Sequence, residues 1–273
     1  METQQARIDP ELLRTLVRRG DVYDLAQPIA PGVPVLSFHP PYTFALVRRH
    51  GDLVRPGNAS SANELLVMCA HTGTHLDALC HYSRDGKLYG GIDAQAAQQG
   101  PTGFRALGIE QTPPLLQRGV LLDIPAVLGV AVLDDRQPVD GALLEAAAQR
   151  AGLAVGPGDA VLVRTGWARR WSEPARFVDG EAGCPGLNGD GARWLLARGV
   201  RLTGNDTPWF EVQPRQGDDN VHALLIADHG VQILENLNLE RLSADGVAEF
   251  LLVVLPLPLV GATGSPVRPV AIV

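Results

Sequence analysis

The sequence predicts an α/β fold, with helices and strands mixed in one domain. Apolar runs of strand length occur at residues 119–124 and 159–165, and an N-capped, Ala-rich helical pattern lies between them at residues 140–151. Such alternation is typical of α/β packing. At 273 residues the chain is long enough to bury a substantial core. We expect an N-terminal helical segment, residues 1–20, and a single domain over residues 21–273.

The N-terminal third predicts one helix, a long loop and two strands. Asp9, Pro10 and the apolar residues up to Gly20 predict a short amphipathic helix with an N-cap. Residues 22–42 combine a short strand with five prolines, which indicates an extended ordered loop of a length that is commonly functional. Residues 43–47 predict a strand. Residues 64–70 are mostly apolar and precede a glycine-containing turn, which predicts a buried strand.

The C-terminal half continues the alternation. Residues 189–199 predict a helix, residues 219–230 a second helix with His222 in its first turn, and residues 200–203, 231–234, 248–257 and 267–273 predict strands. Trp209 follows the first of these strands, where pockets form in α/β architectures, so it is a candidate for a substrate-binding wall. Alternatively, Trp209 fills a hydrophobic gap. Glu235 directly follows the strand at residues 231–234.

The segment from residue 71 to residue 81 holds three histidines and one carboxylate. Imidazole nitrogens and carboxylate oxygens are ligands of Zn²⁺ and Mn²⁺, and a catalytic site needs three protein ligands and an open position. His71, His75 and Asp77 can supply those ligands, since Gly73 permits a tight turn and residues two apart on a strand share a face. His81 is either a fourth ligand or a group that moves protons. The alternative is a structural, hydrogen-bonded turn.

Composition excludes several classes of partner. With a net charge of −7 and no basic cluster beyond short pairs, the chain has no electrostatic footprint for nucleic acid. We expect neither a signal peptide nor a membrane span, because the longest apolar run, residues 250–262, is interrupted by Pro256 and Pro258. Three cysteines fit free thiols in a reducing compartment. We therefore expect a cytoplasmic protein.

The pattern His-x-Gly-Thr-His-x-Asp-x-x-x-His resembles that of the metal-dependent "cyclase" family, which includes bacterial kynurenine formamidases and isatin hydrolases. Residues 163–167, 203–208, 222–237 and 261–268 also resemble the family, so the resemblance covers nearly the whole chain from Asp24 onward. It implies the swivelling β/β/α fold, one or two divalent ions per chain, either Zn²⁺ or Mn²⁺, and a homo-oligomer, either a dimer or a tetramer. Residues 78–80 depart from it, because many members have a proline there.

The resemblance also implies roles for single residues. His71, His75 and Asp77 match metal ligands, and His81 matches a histidine that transfers protons.

His222 and Glu235 match the pair that completes a second metal site in the kynurenine formamidase type, with Asp77 and Glu235 as bridges. His229 is a rival of His222 without the family's sequence context. The early loop matches a segment that supplies an aromatic wall of the substrate pocket, for which Phe38 and His39 are the candidates.

These features predict an enzyme with a small-molecule substrate. It would be a metal-dependent hydrolase, similar to arylformamidases and isatin hydrolases, that cleaves an amide, formamide or cyclic amide or lactone bond with a metal-activated water. One alternative is a lyase or dehydratase that uses the ion as a Lewis acid. Another is a non-catalytic metal-binding or small-molecule-binding protein on the same fold, whose ion would be fully coordinated.

Overall fold

A mixed sheet of nine strands forms the centre of residues 10–179, 181–217 and 220–273, which are the residues that the computed structural model describes. The strands, in chain order, are β1 (Val22–Asp24), β2 (Thr43–Arg48), β3 (Val54–Arg55), β4 (Ala59–Ser60), β5 (Asn63–Val67), β6 (His75–Asp77), β7 (Leu115–Asp123), β8 (Pro138–Val139), β9 (Ala160–Arg164), β10 (Gly186–Leu187), β11 (Leu202–Asn205), β12 (Gln232–Glu235), β13 (Glu249–Val254), β14 (Gly264–Pro266) and β15 (Val270–Ile272).

The order of strands in the large sheet is β1-β15-β13-β7-β9-β11-β12-β6-β14. The neighbours β7, β9, β11 and β12 run parallel to one another. On both sides of this parallel centre the neighbouring strands pair antiparallel. Helices cover the parallel centre, as parallel sheets require.

The α-helices are α1 (Pro10–Leu16), α2 (Ala94–Ala97), α3 (Ile124–Leu128), α4 (Gly141–Ala151), α5 (Pro174–Phe177), α6 (Gly189–Ala197) and α7 (Glu240–Ala244). A π-helix, Ala223–Asp228, follows His222. The predicted N-cap of α4 is confirmed, because the side chain of Asp140 accepts a hydrogen bond from Leu143 N at 2.9 Å. Asp9 and Asp219, at which two helices are predicted to begin, lie outside the described residues.

Both faces of the sheet are buried. Along β9, Ala160 and Leu162 belong to one apolar cluster, whereas Val161 and Val163 belong to a second cluster that includes residues of α4 and α6. Side chains alternate between the faces of a strand, so a strand buried on both faces appears in the sequence as a continuous apolar run. The α/β prediction and the strand at residues 159–165 are therefore confirmed.

The strand before the histidine-rich segment differs from the prediction in its burial. β5 pairs only with β2, in a separate two-stranded sheet that we call the apolar ribbon, and every residue of β5 is exposed. Leu65 and Leu66 are 53% and 50% exposed. A short apolar run indicates that a strand forms but does not indicate which neighbour covers it, so the predicted burial was wrong.

Candidate metal centre

Strand β6 holds the centre of the site. It lies between β12 and β14, and Leu76, fully buried, packs into the core on one face. His75 and Asp77 project to the other face and are 2% and 1% exposed. This is the alternation that the sequence predicts for a polar pair two residues apart on an extended segment.

Two histidines of the first motif, His71 and His75, are each held in place by a hydrogen bond at one ring nitrogen. His75 Nδ1 donates a hydrogen bond to Gly73 O at 2.9 Å, which leaves Nε2 as the acceptor nitrogen. His71 Nε2 is hydrogen-bonded to Thr263 Oγ1 at 2.9 Å, and its Nδ1 lies 2.9 Å from Asp77 Oδ1. Partners of this kind fix the ring orientation of metal-ligating histidines.

Two glycines make room for these rings. Gly73 has φ +67, and a Cβ there would lie 2.9 Å from the Ile29 side chain. A Cβ on Gly264 would lie 2.8 Å from the His71 ring. Larger residues at either position would displace the turn or the ring, so the close packing that defines the site depends on glycine.

A second group of side chains meets Asp77 from the other side. His222 Nε2 lies 3.1 Å from Glu235 Oε1 and 3.8 Å from Asp77 Oδ2. His222 Nδ1 is in contact with Glu211 Oε2. Burial alone would lower the pKa of His222, but the carboxylates of Glu211 and Glu235 raise it well above its ordinary value.

The surroundings of the Asp77 carboxylate indicate that this cluster can bind a cation. Both of its oxygens are buried, and neither accepts a hydrogen bond with acceptable geometry from the described residues, although His71 Nδ1 is near. Burial alone would raise the pKa of Asp77, but the surrounding histidines hold it well below its usual range. Because a buried carboxylate without hydrogen bonds is costly, a divalent ion among these nitrogens and oxygens fits the residues present.

His81 lies at the edge of the same cluster. Its Nε2 is 3.9 Å from Asp77 Oδ2, and ligand atoms of His71, Asp77 and His81 lie within 4.8 Å of one another. His81 is therefore close enough to be a ligand or a proton carrier, as the sequence left open. Burial lowers its pKa to about 4, although Asp77 opposes that shift, so the ring is neutral at pH 7.

A cavity of ≈ 450 Å³ opens onto the histidines. Phe38 and Trp209, the predicted wall residues, both line it, and Phe38 is 71% exposed. His39 also lines the cavity, with its ring stacked on His71 at 5.9 Å between centroids. Of the two candidates in the early loop, His39 thus lies against a site histidine and Phe38 lies at the rim.

Sequence reasoning missed several cavity residues, and three of them contact the metal centre or one another: Tyr82, Glu211 and Arg215. Tyr82 stacks on His222 with centroids 5.0 Å apart. Only the position of Tyr82 beside His81 could have suggested it, and the other two stand in no motif.

Two further residues lie outside the chemistry of the site. His229 is not at the site, because it is exposed and its Nδ1 bonds to Leu224 O at 2.8 Å. Cys80 is buried, its thiol donates to Ala262 O, and burial raises its pKa to about 12. Cys80 is therefore a small apolar packing residue and not a thiolate nucleophile.

A mixed sheet with a buried cluster of histidines and carboxylates at the base of a cavity is the arrangement expected of a metal-dependent hydrolase. The chain belongs to the family described as "Putative cyclase", whose model matches residues 23–212. No helix in the described part of the chain is long and apolar enough to cross a membrane.

Individual relatives agree with this assignment. The chain is 26% identical over 256 residues to a kynurenine formamidase of Bacillus cereus, which covers 93% of this chain and 98% of that protein. A crystal structure described as a novel cyclase is similar with a TM-score of 0.87 and 28% identity, over 97% of this chain and 94% of that one. Isatin hydrolase A from Ralstonia solanacearum shares the fold, with a TM-score of 0.71 and 23% identity over 92% and 91% of the two chains.

Proposed function

We propose that this chain is a metal-dependent amide hydrolase with a dinuclear metal site. The observation that carries the proposal is that two carboxylates each face two groups of histidines. Asp77 Oδ1 is 2.9 Å from His71 Nδ1, and Asp77 Oδ2 is 3.8 Å from His222 Nε2. Glu235 Oε2 is 3.4 Å from His75 Nε2, and Oε1 is 3.1 Å from His222 Nε2. Two carboxylates that each face two histidines would suit a two-metal site.

His71, His75 and Asp77 would hold the first ion, and Asp77, His222 and Glu235 the second. Nitrogen and oxygen donors suit both Zn²⁺ and Mn²⁺. When bound, such an ion polarises a carbonyl and lowers the pKa of water from about 15.7 to about 7. The protein's share of the chemistry is then to orient the amide and to move protons.

His81 has the properties of the proton carrier. Its ring is neutral at pH 7, since burial lowers its pKa to about 4, and its Nε2 lies 3.9 Å from Asp77 Oδ2. Nε2 would take a proton from the attacking water and deliver it to the departing amide nitrogen. General acid–base help of this kind contributes about 10²–10⁴-fold.

An aryl formamide or a cyclic aryl amide is the substrate class that we propose. The cavity of ≈ 450 Å³ is lined by aromatic side chains, among them Phe38, Phe177 and Trp209. Flat apolar walls favour an aromatic ring. The similarity to kynurenine formamidases supports an N-formyl group as the part that is cleaved.

The test is a reconstitution series. Metal-stripped protein would be loaded with Zn²⁺ or Mn²⁺ and assayed against formanilides, cyclic imides and lactones. We expect turnover of the amide substrates only after loading, with release of a carboxylic acid or formate. Elimination products without hydrolysis would support the lyase alternative, and tight metal binding without turnover of any class would support the binding-protein alternative.

The chain is also proposed to form a homo-oligomer. The apolar ribbon exposes large apolar side chains on both of its faces: Phe44, Leu46, Val47, Leu65, Leu66 and Val67 are 45–61% exposed. A ribbon that is apolar on both faces needs a protein partner, and a second copy of this chain is always present.

Residues 21–273 are proposed as one domain. The free thiols at Cys69, Cys80 and Cys184 support a cytoplasmic location.

A further inference from the structure

Glu211 connects the metal centre to the wall of the cavity. Its carboxylate is 2% exposed and has two partners: Oε2 contacts His222 Nδ1, and Oε1 accepts a hydrogen bond from Arg215 Nε at 3.0 Å. Arg215 Nη2 also donates to Tyr82 Oη at 3.4 Å. The order of contacts is therefore Arg215, Glu211, His222 and then the carboxylate of Glu235.

We propose that Glu211 is a positioning residue that holds the ring of His222 as a ligand of the second metal ion. This inference rests on the proposed dinuclear function and assigns a role to a carboxylate that is not itself a ligand. Arg215 supports it by fixing the carboxylate of Glu211 from the other side.

The contact selects the tautomer of His222. An ionised carboxylate only accepts, so Nδ1 carries the proton and donates it to Glu211. In the neutral ring that a metal ion requires, the lone pair is then on Nε2, the nitrogen that faces Glu235 and Asp77. A carboxylate partner also makes the imidazole a stronger donor to a metal.

The partner of His222 differs in charge from those of the other two proposed histidine ligands. His75 Nδ1 donates to the backbone carbonyl of Gly73, and His71 bonds to the hydroxyl of Thr263. Both of these partners are neutral. Removal of the charge on Glu211 should therefore weaken binding of the second ion and leave binding of the first ion unchanged.

The ring of His222 is also fixed by packing. Tyr82 stacks on it with an interplanar angle of 29°, and Phe210 meets it edge-on with centroids 6.5 Å apart. Packing determines the plane of the ring but not which nitrogen is protonated. Only the contact with Glu211 determines which nitrogen is protonated. This effect distinguishes a positioning role from a purely structural one.

The experiment uses Glu211→Gln, which keeps the shape and removes the charge. Binding of each metal equivalent would be measured by chelator competition, with Zn²⁺ and then Mn²⁺ as probes. We expect the equivalent that His222→Ala removes to lose about 10–100-fold in affinity, the usual effect of removing a hydrogen-bond partner of a metal ligand, while the other equivalent is unchanged. The value of kcat should fall with the occupancy of the second site and recover at saturating metal.

Further variants separate positioning from folding. Glu145→Gln is the matched control, because Glu145 also pairs with an arginine, Arg198, but lies on α4 outside the cavity. Glu211→Asp restores the charge at a shorter reach, and we expect an intermediate affinity. Arg215→Gln should have a smaller effect than Glu211→Gln. Thermal unfolding of the metal-stripped proteins shows whether each variant folds.

The outcomes are distinct. Two equivalents with wild-type affinities in Glu211→Gln would overturn the inference and leave the dinuclear function standing. An equal loss of both equivalents would also overturn it, because it would show a general effect on the scaffold. A wild-type protein that binds one equivalent, and keeps it in His222→Ala, would contradict the proposed dinuclear site and the inference together.

Discussion

His75 and Glu235 stand directly opposite each other on the antiparallel strands β6 and β12, and His75 Nε2 lies 3.4 Å from Glu235 Oε2. The two residues are far apart in the sequence, yet the strand register makes them a cross-strand pair. Directly opposite residues have Cβ atoms about 4.5–5.5 Å apart, which is close enough for both side chains to belong to one metal centre. Their pairing joins the local histidine motif to the distant half of the site.

Removal of the Glu235 carboxylate should abolish binding of one metal ion. For wild type we expect about two metal equivalents per chain by elemental analysis, and for Glu235→Ala about one, because Asp77 and His222 alone cannot hold the second ion. Glu145→Ala, which lies outside the cavity, should keep both. About one equivalent in wild type, unchanged in Glu235→Ala, would show a mononuclear site and remove Glu235 as a ligand.

The histidines of the motif should separate by role. His75→Ala should lose both metal and activity, because His75 Nε2 faces Asp77 and Glu235. His81→Ala should keep its metal and lose about 10²–10⁴-fold in kcat, the value of general acid–base help. Metal content and single-turnover rates measured on the same samples test this. Equal metal loss in the two variants would make His81 a ligand.

The rim of the cavity should affect substrate binding without affecting stability. Phe38 is 71% exposed, so Phe38→Ala should leave the melting temperature unchanged. Loss of one aromatic contact, worth about 0.5–1.5 kcal/mol, should raise KM for an aryl formamide by about 2–10-fold with little change in kcat. Leu128→Ala, exposed but outside the cavity, is the control. An unchanged KM would place Phe38 outside the substrate site.

Asp206 should matter for stability. It accepts hydrogen bonds from Thr165 N at 2.8 Å, Thr165 Oγ1 at 2.6 Å and Gly166 N at 2.8 Å, which tie the ends of β9 and β11 together. Asp206→Asn would turn an NH₂ group toward one of these donors and should cost about 1–3 kcal/mol in urea unfolding.

The control for Asp206→Asn is Asp85→Asn, an exposed position where a change within about 0.5 kcal/mol is expected. If the two variants unfold at the same urea concentration, the three hydrogen bonds of Asp206 do not contribute net stability.

The apolar ribbon should control assembly. In Leu46→Glu combined with Leu66→Glu, two exposed apolar residues on one face become charged, so the fold of the chain should not change. We expect wild type to contain two or four chains by light scattering and the double variant to contain one. Leu128→Glu should behave as wild type. A monomeric wild type would show that the ribbon does not pair with a second copy.

The clustering of the side chains of the first motif was predictable from the sequence alone. The spacing of His71, His75, Asp77 and His81 is local, so a turn and a three-residue strand are sufficient to bring their ligand atoms together. The buried strands β7 and β9 and the N-capped helix α4 were predictable for the same reason, since apolar runs and caps are local signals.

The tertiary structure determined the contacts between residues that are distant in the sequence, which local spacing cannot predict. The register of β12 against β6 brings Glu235 to His75, and the chain after β11 places Glu211 on His222. Residues 64–70 carried a strand signal that was correct, but their exposure on the apolar ribbon depends on which strand they pair with. Pairing and burial follow from the free energy of the whole packed chain, and a window of neighbouring residues does not contain that information.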